Sequence, residues 1–255
     1  MFYLKGKVED ICFFTIVSDK YYHPVGTEIL MNSFKKFHPD IDLIVFRQDM
    51  IDKVFAEKKV NFYNCKPTFA KLLTPHYKTV VNIDADSIVL GRLDEIIKAD
   101  YEIAVPTNFN DYENMSIENV TEEMFVQAGL VASNNVKFWD IWEFNNQNAM
   151  KYTAQENTVL SLILYNDPLV KLMDLKILDK DKDYYGCKSL DREKEFYLED
   201  GKVMCRKEQV HVYHVAKGGA SMPKFDFNRL GFPEEVTDHM LVLGAYGTSM
   251  RLGAI

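Results

Sequence analysis

Residues 78–93, KTVVNIDADSIVLGRL, limit what this chain can fold into more tightly than any other stretch. Val80, Val81 and Ile83 make an apolar, β-branched run that ends on Asp84, and a second aspartate, Asp86, follows after one residue. A run punctuated this way reads as a buried strand with the acidic pair at its carboxyl end. In open α/β sheets the loops at the carboxyl ends of strands are where ligands bind. Two carboxylates held together repel, so the pair is costly unless a cation, a proton or a cationic side chain compensates. A hard divalent ion that also holds phosphate oxygens compensates most economically, because Mg²⁺ takes one or two carboxylates together with substrate phosphates. The plainer alternative is a turn in which both aspartates cap the element that follows.

The rest of the composition narrows the class. A chain of 255 residues suffices for one large α/β domain. A net charge of −8 argues against a nucleic-acid partner, since a phosphate backbone demands a basic face. No window is apolar for long enough to span a membrane, so no transmembrane segment is expected. The opening residues MFYLKGKVEDICFFTIV carry acidic side chains where a secretion signal would be apolar, and read instead as a first strand. Cys12, Cys65, Cys187 and Cys205 are scattered without a C-x-x-C pair, which fits neither a zinc site nor a disulfide framework. A reducing, cytoplasmic location is expected.

Hydrophobic periodicity orders the remainder. Residues 10–17 form a continuous apolar run, expected as a buried parallel strand. Ile29, Leu30, Ser33, Phe34 and Phe37 recur at helical spacing over 25–37, and His38-Pro39-Asp40 stops that helix. A strand over 41–46 completes a right-handed βαβ unit. A helix over 66–77 with Pro67 in its first turn follows, then strands over 79–83 and 101–106 around a short helix at 93–98. Residues 108–123 are polar and aperiodic, a surface loop of a length that usually serves function. Strand character resumes over 125–133, and helices are predicted over 136–150 and 155–165, with Trp139 and Trp142 in the core. Beyond 171 the elements shorten to 171–178, 203–206 and 210–215. A Gly/Pro-bearing stretch at 217–233 leads into a tail around 234–246. A single domain over 1–255 is expected, with 217–255 as a C-terminal extension and a sheet that is parallel early and mixed later.

Five blocks, taken in order through most of the first 215 residues, resemble a GT-A-fold nucleotide-sugar glycosyltransferase, nearest in pattern to glycosyltransferase family 8. They are TIVSDKYYHPV, FAKLLTPHYKTVVNIDADSIVLGRLDEI, FVQAGLVAS, ENTVLS and HVYHVAKGG. The resemblance implies an α/β fold with a Rossmann-like open mixed sheet flanked by helices. It also implies transfer of a sugar from a nucleoside-diphosphate sugar, a UDP-sugar by family habit, with retention of anomeric configuration. The acceptor, whether glycan, lipid-linked or protein, stays open. Asp84 and Asp86, with Ala85 between them, then bind Mn²⁺ (or Mg²⁺) and the donor diphosphate, and His214 completes the metal site. Ser18, Asp19 and Tyr21 match the nucleobase turn, Tyr21 as the stacking ring. Lys71 stands where the family has a donor-facing arginine. Gln127, Ala128 and Gly129 fall where the donor sugar and reacting centre lie, as do Glu156 and Asn157. Lys217 takes the part of a displaced diphosphate-binding lysine.

The chain departs from the family pattern in places. Lys71 exchanges a bidentate fork for a point charge, Gln127 replaces asparagine, and Asn157 replaces glutamine. Two other classes compete. In a haloacid-dehalogenase-like phosphatase Asp84 would be phosphorylated and Asp86 would act as acid/base, but that motif normally lies near the amino terminus and no later G-D-x-x-x-D is present. A nucleotide-sugar-binding protein without turnover is the third reading. His211 and His214 are three apart on an expected strand and face opposite ways, so His211 is not expected to share a metal with His214. The aspartates at 179, 181 and 183 lack the glycine and glutamate of a calcium loop and read as a solvated turn.

Overall fold

The computed structural model describes residues 9–18, 24–58, 65–107, 125–149, 156–178, 183–184, 187–188, 193–214 and 232–244. The opening βαβ pattern appears as β1 (Glu9–Ile16), α1 (Pro24–Phe37) and β2 (Asp42–Phe46). α2 (Gln48–Lys58) and α3 (Lys66–Leu73) lead to β3 (Tyr77–Ile83), and β4 (Ser87–Val89) follows the acidic pair. Next come α4 (Asp94–Ile97), β5 (Ile103–Val105), β6 (Leu130–Ser133), α5 (Val136–Ala149) and α6 (Glu156–Asn166). The remaining strands are β7 (Leu175–Ile177), β8 (Asp183–Tyr184), β9 (Cys187–Lys188), β10 (Phe196–Glu199), β11 (Lys202–Cys205), β12 (Glu208–Val210) and β13 (Val212–His214). α7 (Glu234–Gly244) closes the described chain.

The central sheet has the order β2-β1-β3-β6-β5-β7. β1 pairs in parallel with both β2 and β3, β5 pairs in parallel with β7, and β6 runs against its neighbours β3 and β5. The sheet is therefore mixed, as expected. Because successive side chains alternate faces, β1 and β3 serve two cores at once. Cys12, Phe14, Ile16 and Val80 pack on one side with Phe69, Phe138, Trp139, Trp142 and Leu160. Phe13, Val81 and Ile83 pack on the other with Leu30, Phe34 and Leu93. Both tryptophans are fully buried. A third core, with Ile29, Ile88, Tyr213, Phe232 and Met240, lies under the smaller sheets β10-β11-β12-β8 and β4-β13-β9.

Three departures from the expected elements have local causes. The helix expected over 66–77 stops at Leu73. Pro75 has no N–H to give to Lys71 O, and the Thr74 hydroxyl donates there instead at 3.1 Å. The expected strand over 210–215 is broken at His211, whose carbonyl accepts from Leu90 N–H at 2.8 Å. That break lets the chain leave one small sheet at β12 and join the other at β13. α2 escapes sequence patterning because Ile51 and Val54 are its only buried residues among those described, too few for a clear stripe. The predicted loop over 108–123 lies outside the described residues, as do Asp179 and Asp181 of the expected acidic turn, while Asp183 begins β8.

Candidate functional site

β3 ends where the sequence predicts, and Asp84 leaves it held by its neighbour strand. The Asp84 N–H donates to Gly129 O at 2.8 Å, extending the β3–β6 ladder by one step. The turn closes with Ser87 N–H on Asp84 O at 3.1 Å, which brings Asp86 to the start of β4. β4 then pairs antiparallel with β13, placing His214 opposite Ser87. That pairing is how a histidine far along the chain reaches the acidic pair. Nε2 of His214 lies 2.9 Å from Asp86 Oδ1 and 3.6 Å from Asp84 Oδ2.

One nitrogen or oxygen of each of Asp84, Asp86 and His214 lies within 4.8 Å of the others. Ligands of an octahedral ion at about 2.1 Å sit roughly 3 Å apart when adjacent and about 4.2 Å apart when opposite. Two carboxylates and one imidazole at these separations fit a divalent cation, and the pattern suits Mn²⁺ or Mg²⁺ better than a thiolate-seeking ion. Gly129 permits the convergence. A Cβ there would stand 3.1 Å from Asp84 Oδ2 and 3.2 Å from His214 Nδ1, so a larger residue would push the two ligands aside.

A lysine that the sequence reading passed over balances the charge. Lys66, the first residue of α3, reaches Asp84 Oδ1 at 2.7 Å, Glu156 Oε2 at 2.9 Å and Ala128 O at 3.0 Å. These three side chains are only 12–15% exposed. Burial by itself raises the Asp84 carboxyl, but Lys66, then His214 and a hydrogen bond from Asn82, carry it below the usual carboxylate range. Glu156 goes the other way, pushed up to about 7 by burial, against the pull of Lys66 and with the charge of Asp84 adding to it. The same two carboxylates overcome burial to hold the Lys66 ammonium above its ordinary value. Glu156 Oε1 is buried without a partner among the described residues.

The structure gathers most of the sequence-predicted residues here and sends one elsewhere. Asn157 accepts from Ala128 N–H at 2.8 Å, and Asn82 donates to Ala128 O at 3.2 Å, so the segment 127–129 is fixed from two sides. Ala85 is buried. Ser18 lies two residues past the carboxyl end of β1, at the same sheet edge, its hydroxyl donating to Gln48 Oε1 at 2.9 Å. Lys71 faces another way: its ammonium is bound to Asp140 at 2.6 Å and Glu143 at 2.7 Å, both on α5. Residues five apart on a helix point roughly 140° apart, so Lys66 and Lys71 leave α3 on different sides. Gln127 is buried with its carboxamide against the His214 ring. Asp19, Tyr21 and Lys217 lie outside the described residues. His211 stays apart from the metal set, beside Gly91 and Gln209.

The sheet order, the reversed β6 and the acidic turn at the β3 edge define a GT-A fold. The chain is similar in structure to the galactosyltransferase LgtC, solved with donor and acceptor sugar analogues, at 12% identity and a TM-score of 0.51, over 89% of this chain and 99% of that one. It is also similar to a glycosyltransferase involved in glycosylation of the major capsid of PBCV-1, at 9% identity and a TM-score of 0.53, over 83% and 96% of the two chains. With the bifunctional glycosyltransferase WbbM it shares 13% identity and a TM-score of 0.51 over 83% of its own length, but spans only 46% of that protein. At these identities the shared property is the fold. No protein-family profile matches the chain, and comparison with curated proteins gives no match. Among the described residues no helix is long and apolar enough to cross a membrane.

Proposed function

We propose that this chain is a metal-dependent glycosyltransferase of the family 8 type, transferring a sugar from a UDP-sugar to a glycan, lipid-linked or protein acceptor with retention. The observation that carries the reading is the convergence of Asp84, Asp86 and His214 at the carboxyl edge of β3, within a sheet shared with solved glycosyltransferases. The phosphatase alternative lacks, anywhere in the sequence, the later G-D-x-x-x-D that would serve its metal.

Asp84, Asp86 and His214 would hold Mn²⁺ or Mg²⁺, which supplies positive charge where the departing diphosphate becomes more negative. The chain's own residues do the rest. Lys66 keeps Asp84 ionised and ready to coordinate. Asn157 and Asn82 fix the backbone of 127–129 against which the donor sugar would lie. Glu156 faces the same space, and its raised affinity for a proton lets it donate a hydrogen bond near neutrality. Ser18, Asp19 and Tyr21 form the nucleobase turn in this reading, and Lys217 assists at the diphosphate. The same reading puts the protein in the cytoplasm, whose reducing conditions suit the buried Cys12, Cys65 and Cys205.

The test is titration calorimetry of UDP, with and without Mn²⁺, followed by an assay for UDP release from a panel of UDP-sugars. Metal-dependent binding with sugar-dependent UDP release supports the reading, and the anomer formed, seen by NMR, decides retention. Binding without release would make the chain a nucleotide-sugar binder. Release of inorganic phosphate would favour phosphatase chemistry.

A further inference from the structure

The Lys66 ammonium has no donor to spare. Its three N–H groups match three acceptors: Asp84 Oδ1 at 2.7 Å, Glu156 Oε2 at 2.9 Å and Ala128 O at 3.0 Å. These acceptors come from the end of β3, the first residue of α6 and the segment ahead of β6. Two of the three are fixed independently of the lysine. Ala128 O also accepts from Asn82 Nδ2 at 3.2 Å, and the Ala128 N–H is bound to Asn157. The Asp84 N–H is bound to Gly129 O. On the other side of the same carboxylate, Asp84 Oδ2 faces His214 Nε2 at 3.6 Å, and a Cβ on Gly129 would stand 3.1 Å from it. The two oxygens of Asp84 therefore have different neighbours: a fixed ammonium on Oδ1, the ligand histidine on Oδ2. Resting on the metal-site reading above, we propose that Lys66 is a selectivity-determining positioning residue. It confines Asp84 to single-oxygen ligation, so that the site takes a six-coordinate Mg²⁺ or Mn²⁺ and discriminates against Ca²⁺.

The physical argument is one of shared oxygens. A cation bound through both oxygens of Asp84 would sit against the Lys66 ammonium, and two cations in contact at one oxygen repel in a site this buried. Swinging the lysine away would strip Glu156 and Ala128 O of a donor, which buried acceptors do not tolerate cheaply. Ca²⁺ takes about 6–8 oxygens at about 2.3–2.6 Å and readily uses a carboxylate bidentately, so it loses a ligand here. Mg²⁺ keeps near-octahedral geometry at about 2.0–2.1 Å, with one or two carboxylates and several waters, and loses nothing. Mn²⁺ shares that octahedral preference. The lysine's positive charge also weakens binding of any divalent ion, but it does so alike for ions of equal charge. The ratio of affinities for two such ions therefore reports the ligation of Asp84, whereas a single affinity does not. His214 adds its own preference between ions, and that contribution is common to wild type and to variants at position 66.

The test is calorimetry of Mn²⁺ and Ca²⁺ binding to the full chain, with and without UDP, beside a melting curve for each variant. Lys66→Met removes the charge and frees Oδ1, so both ions should bind more tightly and Ca²⁺ should gain the more. The Mn²⁺-to-Ca²⁺ affinity ratio should fall about 10–100-fold, the range that partners of a ligand commonly command. Lys66→Arg keeps a cationic donor on Oδ1 and should hold the ratio near that of wild type. A merely structural lysine would lower the melting temperature and leave the ratio alone, and an unchanged ratio in Lys66→Met overturns the inference. Should Lys66→Met fail to fold, a crystal structure of the wild-type Mn²⁺ complex decides by the number of Asp84 oxygens within about 2.3 Å of the ion. One oxygen supports the inference and two overturn it. A wild type that binds neither ion, with or without UDP, overturns the metal reading and this inference with it.

Discussion

The charge balance of the site turns on Lys66. Its single ammonium faces two buried carboxylates, and removing one partner from a buried ion pair leaves uncompensated charge. Lys66→Met should therefore lower stability by about 3 kcal/mol, measured by urea denaturation, and saturating Mn²⁺ should recover more stability in the variant than in wild type. Lys71→Met is the control. Its side chain is 27% exposed, with partners Asp140 at 52% and Glu143 at 10%, so the loss should be smaller, about 1–2 kcal/mol, with Mn²⁺ affinity unchanged by calorimetry. Asp86 offers a sharper separation of binding from folding. Asp86→Asn keeps the side-chain shape at the start of β4 but removes the charge facing His214, so Mn²⁺-dependent UDP binding should vanish while the melting temperature stays near that of wild type. Undiminished metal-dependent affinity in that variant would displace the site.

At the scale of elements, two short ladders and one histidine do the positioning. β3–β6 carries Asp84 to Gly129, and β4–β13 carries His214 to Ser87, so neither ligand depends on a long flexible loop. The end of α1 is tied to the start of α4 by His38, whose Nε2 accepts from Leu93 N–H at 3.2 Å. His38 is 2% exposed and packs beside Phe13 and Phe34. Burial first, then Arg92 and His211 against Asp94, brings its pKa down from 6.5 to about 4. The unfolded chain then binds more protons than the folded one between those values, so stability present above pH 6.5 is lost as pH falls toward about 4. Denaturation at pH 7 and pH 5 should show a loss of about 2 kcal/mol from this group, and His38→Asn should flatten that difference. An equally steep acid loss in the variant would assign it to other groups.

For the whole molecule, the site is built from five segments spread from Lys66 to His214. A ligand that binds it holds together parts of all three cores. Binding only to the folded state adds about 2.7 kcal/mol at a hundredfold excess over the dissociation constant. UDP with Mn²⁺ should thus raise the melting temperature of the whole domain in one cooperative transition, read by calorimetry. A transition that splits, with part of the chain unaffected by ligand, would show that the small sheets and the central sheet unfold separately.

What the sequence determined by itself was the part written in short-range pattern. A β-branched run ending in Asp84-Ala85-Asp86, the βαβ opening and the apolar periods of α1, α5 and α6 are local signals, because strand burial and helix amphipathicity repeat within a few residues. His214 was legible only through its likeness to a family block, and the break at His211 that switches sheets left no mark on the apolar run around it. Lys66 had no signal beyond a place beside Pro67, and Lys71, in the block FAKLL, looked the better candidate. Only the tertiary structure decided between the two lysines, since helix phase relative to the sheet edge is set by how α3 packs on α5 and β3. The contact of Gln127 with His214 was likewise invisible, because it joins side chains brought together by two separate strand pairings and no local pattern encodes their meeting.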